Sequence, residues 1–183
     1  MVGKSRLVTV SPFDILIDTK EQKPWTFRGI PGNSGQGSIL VKWYWESLGT
    51  GNGDYSIRGF IDSDGTPRVS IERKSLDDLY STILSRRENF VRELTQLNDM
   101  EYSAIIVEAH LDQVMTHVPK YWKEMELTVD QQLGKQRSVM GSIYAWQYRY
   151  RNVRWWFIPR KYCSIVCYRL FSRFYEESTM GGK

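Results

Sequence analysis

Apolar residues along this chain fall first into short runs and later into longer stretches with helical spacing. The run at 8–11 stops at Pro12. The next, D-I-L-I-D at 14–18, has the length of a buried strand and ends in an acid. Residues 28–38 hold four glycines and Pro31, which predicts a loop. I-L-V-K-W-Y-W at 39–45 reads as another strand, placed at a sheet edge. Runs at 55–61 and 68–74 flank Asp64-Gly65 and Pro67, so they form a hairpin. Ser75 is a good helix N-cap, and Asp78 three residues later resembles the second half of a capping box. The helix it opens is expected over 76–97. Leu76, Leu79, Tyr80, Ile83, Leu84, Phe90, Leu94 and Leu97 repeat there close to the helical period.

Beyond that helix, S-A-I-I-V-E at 103–108 reads as a buried strand, apolar through its middle as parallel strands are. Its last residue, Glu108, is expected at a cap or on the surface, with a further site acid as the alternative. Residues 111–117 predict one or two helical turns, stopped before Pro119. Residues 121–133 mix charges and aromatics without a period, so 109–136 reads as a variable excursion or lid. Helical spacing returns over 138–150 through Val139, Ile143, Trp146 and Tyr150. V-R-W-W-F-I at 153–158 is a strand stopped by Pro159. Over 162–176, Cys163, Val166, Cys167, Leu170, Phe171 and Phe174 form a buried helical stripe. The tail 178–183 is expected to be disordered. The order predicts an α/β fold, a mixed central sheet flanked by helices on both faces. With no internal repeat and no second domain evident, the chain reads as one domain with a core over about 15–176.

Composition narrows the function classes. The 183 residues carry a formal charge of +4, with seven Trp and eleven Tyr. This balance fits an anionic partner such as nucleic acid, although many basic proteins bind none. Two cysteines, Cys163 and Cys167, are too few for a disulfide framework, and both histidines lie far from them, which argues against zinc. The N-terminus lacks the apolar run of a signal peptide and no stretch reads as a membrane span, so a cytoplasmic protein is expected.

The acids and lysine of the hairpin carry the candidate chemistry. Side chains alternate along a strand, so Val69, Ile71 and Arg73 share one face and Ser70, Glu72 and Lys74 the other. Glu72 and Lys74 then stand side by side, near Asp54 on the paired strand. Two carboxylates with the main-chain carbonyl of Arg73 offer hard oxygens to Mg²⁺, as phosphodiester hydrolysis requires. Lys74 would orient the attacking water or stabilise charge on phosphorus, because neighbouring carboxylates oppose its loss of a proton. Asp18, at a strand end, lies either in a cleft or at a cap. The plain alternatives are that Asp54 is a turn residue, that Glu72 to Lys74 is a solvated strand end, and that Asp78 only caps its helix.

The string G-D-Y at 53–55 followed by E-R-K-S-L-D-D-L from Glu72 resembles the XPF family of nuclease domains, marked by G-D-Y/F and E-R-K-x-x-x-D. I-D-T-K-E from Ile17 is similar to the family's V-D-x-R-E, with Lys20 in place of the usual Arg. S-R-R-E-N-F-V-R-E-L resembles the helix that brings an arginine to the scissile phosphate, and Arg87 is the nearest match. S-A-I-I-V-E and S-V-M-G-S-I-Y-A-W are similar to the strand and helix after it. The resemblance runs from about 15 to 174 and is nearest to short stand-alone phage or bacterial forms. It implies a restriction-endonuclease-like three-layer fold and a single nuclease domain over 1–183. It also implies a Mg²⁺- or Mn²⁺-dependent DNA endonuclease, a nickase or an enzyme selective for branched DNA. A bacterial or phage-infected cell would be its setting. The catalytic set implied is Asp18, Asp54, Glu72, Lys74 and Asp78, with Asp18, Asp54, Glu72 and the Arg73 carbonyl toward the metal. Lys20, Arg86, Arg87 and Tyr55 would face phosphate, and Glu21 would support them. The alternative is a non-catalytic DNA- or partner-binding module that keeps the fold. Related domains pair through their last helices. The aromatics there, Trp146, Tyr148, Tyr168 and Tyr175, suggest either a homodimer or ordinary surface tyrosines. Trp122, Trp155 and Trp156 are candidates for stacking on unpaired bases, although one of the adjacent pair must face the core.

Overall fold

The computed structural model describes residues 7–32 and 37–180. Its main sheet has six strands: β2 (Ile15–Asp18), β5 (Trp43–Glu46), β6 (Tyr55–Ile57), β7 (Val69–Lys74), β8 (Tyr102–Val107) and β9 (Val153–Phe157). Their spatial order is β5-β2-β6-β7-β8-β9. Only β6 runs against its neighbours, as the hairpin pattern requires, and the other pairs are parallel. The C-terminal ends of β2, β7, β8 and β9 therefore lie at one end of the sheet. A smaller sheet joins β1 (Val8–Val10), β4 (Ser38–Leu40) and β3 (Ile30–Pro31), in the order β1-β4-β3.

Both faces of the main sheet are covered. On one face Ile15, Ile17, Ile57, Val69, Ile71 and Ile106 pack against α6 (Arg160–Met180) through Cys163, Cys167, Tyr168 and Phe171. On the other, Ile105 and Val107 meet α1 (Leu76–Ser85), α2 (Arg87–Asp99) and α5 (Val129–Arg149) through Leu79, Ile83, Phe90, Leu94, Val139 and Ile143. Each such fully buried side chain contributes roughly 1.5–3 kcal/mol of transfer free energy. The expected three-layer architecture is thus present, with the two stripes read from helical spacing facing inward. Burial pushes the Cys163 thiol up to about 12, and that of Cys167 well above its ordinary value. Both act as small core residues.

Several boundaries differ from expectation. The run 39–45 supplies two strands in two sheets, split at Val41 and Lys42, because apolar spacing records burial and not the identity of the sheet. The glycine-rich stretch 28–38 contains β3 and the start of β4, while its residues 33–36 lie outside the described ones. The helix expected over 76–97 is interrupted at Arg86, whose φ is −122°. The excursion 109–136 is helical for much of its length. It holds α3 (Leu111–Thr116), α4 (Lys120–Glu124) and the start of α5, which Thr128 and Gln131 open with a reciprocal capping box. Ser178 to Met180, placed in a disordered tail, continue α6, and 181–183 lie outside the described residues.

The aromatic surplus near the C-terminus is largely internal. Trp146 and Tyr168 are buried, and Tyr175 packs on Phe13 with ring centroids 5.4 Å apart, which leaves Tyr148 exposed. Trp122 is buried against Tyr80, and Trp155 packs among the helices beside Phe90, so neither is open to a base. Trp156 keeps 38% of its surface exposed. No helix among the described residues is long and apolar enough to cross a membrane.

Candidate active site

The site forms where β7 outruns β6. The two strands pair only at Tyr55 and Ile71, so β7 continues toward α1 with its β6-facing edge uncovered. Gly53 brings the chain to that edge. Its φ is +78°, and a Cβ there would stand 2.2 Å from the Ser70 hydroxyl oxygen, so only glycine fits without displacement. Asp54 follows. Its N–H donates to the Ile71 carbonyl at 3.0 Å, and its own carbonyl accepts from the Asp18 N–H at 2.8 Å. Its carboxylate accepts from the Arg73 N–H at 2.7 Å. A strand residue directs its N–H and C=O to the same side, so the Arg73 carbonyl also points toward Asp54.

Glu72 and Lys74 project from the face opposite Val69 and Ile71, as alternation predicts. Lys74 Nζ lies 2.6 Å from Glu72 Oε1 and 3.3 Å from Asp78 Oδ2, and 5.0 Å from the centre of the Phe90 ring. Asp78 reaches this point because Ser75 caps α1, accepting from the Asp78 N–H at 3.3 Å. Arg86 closes the group, with Nη2 2.5 Å from Asp78 Oδ1. Lys20, Glu21, Gln22 and Lys23 form the other lip of an open cavity of about 270 Å³ that these residues line.

Charge in the cavity is unevenly satisfied. Burial, then the neighbouring Glu72, raise the Asp54 carboxyl well above the usual range, against the Arg73 N–H. Burial raises Glu93 as well, and Glu72 and Asp78 add to this while Lys74 opposes it. Burial also raises Asp78, but Lys74 and Arg86 outweigh it and hold that carboxyl below the usual range. Burial works against the Lys74 ammonium, yet Glu72 and Asp78 prevail and keep it charged far above neutral pH.

Arg73 belongs to a different cluster, on the α6 face. Its Nε and Nη2 meet Glu108 at 2.7 and 2.8 Å, and its Nη1 lies 3.3 Å from Glu21. Glu108 also accepts from Trp25 Nε1 at 2.7 Å and pairs with Arg160. Glu108 is therefore neither a surface residue nor a cap. It is a half-buried carboxylate joining β8, β7, α6 and the 19–27 loop. Burial raises it, but these donors more than compensate and hold it below the usual range.

Of the residues read from sequence, Asp54, Glu72, Lys74, Asp78, Lys20, Glu21 and Arg86 line the cavity, together with Arg73. Three others are placed elsewhere. Asp18 is buried, and its two oxygens accept from the N–H groups of Lys20 at 2.7 Å and Leu48 at 2.8 Å, so it clamps two loops behind the site. Tyr55 is not available to phosphate. Its register with Ile71 turns it to the α6 face, where it stacks on Trp25 at 4.5 Å and its hydroxyl accepts from the Trp25 N–H. Arg87 points to α5, donating to Ser142 at 2.6 Å over the Trp146 ring, and Arg86 takes the place at the cavity. Glu93 was not read from the sequence as a site residue. The signal was its place one helical turn after Phe90, which packs beneath Lys74.

Among the described residues, no three acidic, histidine or cysteine side chains converge closely enough to enclose an ion by themselves. The donors nevertheless fit a hard divalent cation that retains several waters. Asp54 and Glu72 are neighbouring carboxylates, the Arg73 backbone lies against Asp54, and burial followed by Glu72 raises the Asp54 carboxyl, a shift that a bound cation would oppose.

Neither a family model nor a curated protein matches this chain. In three dimensions it is similar to XPF from Aeropyrum pernix, with a TM-score of 0.54 at 20% identity over 91% of this chain and 65% of that one. The chain thus spans just under two thirds of that protein's length. XPF from Aeropyrum pernix in complex with DNA matches with a TM-score of 0.49 at 18% identity, over 91% of this chain and 66% of that one. The likeness shows the fold: the mixed sheet flanked by helices on both faces is shared with XPF from Aeropyrum pernix.

Proposed function

We propose that this chain is a divalent-metal-dependent DNA endonuclease and that the cavity around Asp54, Glu72 and Lys74 is where it hydrolyses phosphodiester bonds. The observation that carries the reading is the convergence of two carboxylates, a main-chain carbonyl and a buried ammonium at the open edge of β7, on a fold of the XPF type. Asp54, Glu72 and the Arg73 carbonyl would hold Mg²⁺ or Mn²⁺. The ion would lower the pKa of a bound water and neutralise phosphate charge. Lys74 remains an ammonium between Glu72 and Asp78, so it donates: it orients the attacking water and stabilises charge developing on phosphate oxygen. Asp78 fixes Lys74 from the helix side. Arg86, half exposed at the cavity mouth, can turn from Asp78 to an incoming phosphate. Lys20 offers a second positive group from the opposite lip, as a point charge without the fork of an arginine. Asp18 supports the site through the backbone of its loops.

The test is cleavage of labelled linear, forked, flapped and single-stranded DNA with Mg²⁺ or Mn²⁺, with Glu72→Ala beside wild type. Metal-dependent cutting that vanishes in the variant supports the reading. Binding without cutting by wild type, on every substrate, would favour the non-catalytic alternative.

A further inference from the structure

The 19–27 loop separates two concavities of the same surface. Residues 20–23 line the catalytic cavity, while Pro24, Trp25 and Thr26 line a second one of about 530 Å³ with Arg160, Lys161 and Ser164. The wall between them is fixed. Trp25 is stacked on Tyr55 and bonded to Glu108, and Arg160 donates to the Lys23 carbonyl at 2.9 Å. The charge of Arg160 is met by Glu108. Lys20, Lys23 and Lys161 are exposed, and among the described residues none of their ammonium groups lies within ion-pair distance of an acid. The far end of the sheet carries the opposite sign: the concavity behind the hairpin is lined by Asp62, Asp99 and Glu101, with Arg68 as its one cation.

We propose that the phosphodiester backbone of a polynucleotide strand leaves the catalytic cavity across the 19–27 loop and lies in this second concavity. Lys20, Lys23 and Lys161 meet its phosphates, and the hydroxyls of Thr26 and Ser164 act as neutral donors. The proposal rests on the nuclease reading of the cavity. Lysines without acidic partners along this wall, Lys161 with its ammonium 4.8 Å over the Tyr162 ring, complement a polyanion, and the acidic concavity at the other end of the sheet repels it. Contacts of this kind position a strand without reading its sequence, so the groove sets the register of the scissile bond and no base preference.

Binding in EDTA separates this surface from the chemistry. The full chain is titrated with fluorescein-labelled single-stranded and duplex oligonucleotides of about 20 nucleotides, long enough to span several phosphate contacts. Lys161→Glu is compared with wild type, with Lys23→Gln as a second variant. Lys123→Glu, an exposed position on α4, is the control. Turnover of thymidine 5′-(4-nitrophenyl phosphate) with Mn²⁺ is followed in parallel, since that ester is too short to reach Lys161. The expected result is oligonucleotide binding about 5- to 10-fold weaker in Lys161→Glu, with a salt slope lower by about 1. Lys23→Gln should show a smaller loss in the same direction, the control none, and ester turnover no change in Lys161→Glu. Wild-type affinity in Lys161→Glu, an equal loss in the control, or no binding by wild type overturns the groove. Wild-type binding that Lys161→Glu weakens, with neither DNA nor the ester ever cut, supports the groove and overturns the nuclease reading instead.

Discussion

The two faces of β7 carry two charged clusters of opposite character. Toward α6, Arg73 meets Glu108 and Glu21, while Trp25 and Arg160 complete the shell of Glu108. Every charge there has a partner, and the Glu108 carboxyl is held below its ordinary range despite burial. Toward the helices, Asp54, Glu72, Asp78 and Glu93 share Lys74 and Arg86, and the carboxyls of Asp54 and Glu93 are pushed upward. Adjacent residues of one strand thus serve different ends. The closed face anchors loop and helix to the sheet. The open face holds two carboxyls raised first by burial and then by neighbouring acids, beside two acids paired to Lys74 and Arg86. On the proposed reading, the carboxyls raised by burial and by each other, and not charge as such, set the candidate site apart from the scaffold.

This contrast can be broken from either side. The largest effect is expected at Asp54→Asn, which should lower the single-turnover cleavage rate by at least about 10³-fold, since on the proposed reading a carboxylate ligand is lost. Its circular dichroism spectrum should match wild type. Glu108→Ala should behave in the opposite manner. It leaves Arg73, half-buried, with only Glu21 at 3.3 Å as a partner, which should cost about 1–3 kcal/mol, read as a lower urea midpoint. Gly53→Ala should affect both faces at once. Its left-handed backbone and the 2.2 Å approach to Ser70 predict a stability loss of about 1–3 kcal/mol together with slower cleavage as Asp54 shifts.

A pH series sharpens the comparison. The Asp54 carboxyl is raised above its unfolded value, so the folded state holds that proton longer. Its contribution to stability is full below about 3.8, the unfolded value, and is lost as pH rises through the folded one. Glu108 and Asp78 act in the contrary direction, losing their contribution as pH falls. The difference in unfolding free energy between metal-free wild type and Asp54→Asn should therefore shift against wild type as pH rises above the ordinary carboxylate range. Guanidinium titrations at several pH values would read it. The smallest effect is expected at Tyr55→Phe, which removes one buried acceptor from the Trp25 N–H, about 1 kcal/mol in a thermal melt, with DNA cleavage unchanged.

Much of the site was legible because strand alternation is local. Period two placed Glu72 and Lys74 opposite Val69 and Ile71, and the Ser75 to Asp78 spacing put a carboxylate in the first turn of α1. What was missed depends on register and long-range contact. Tyr55 sits within a motif string, but its pairing with Ile71 decides which face it joins. Arg86 and Arg87 differ by one step of about 100° around a helix, and the interruption at Arg86 leaves no mark in the apolar period. Glu108 finds Trp25, 83 residues away, and Arg160 only once the sheet is assembled. Asp18 was correctly placed at a strand end. The direction of its side chain follows from the Leu48 loop that it clamps.

The most direct test of the open face is a calorimetric titration of Mn²⁺ into the metal-free protein, with wild type, Asp54→Asn and Glu108→Gln compared in buffers of different ionisation heat. Wild type should bind Mn²⁺ with net proton release from the raised Asp54 carboxyl, Asp54→Asn should lose that binding, and folded Glu108→Gln should keep it. Equal Mn²⁺ binding and equal proton release by wild type and Asp54→Asn would contradict this.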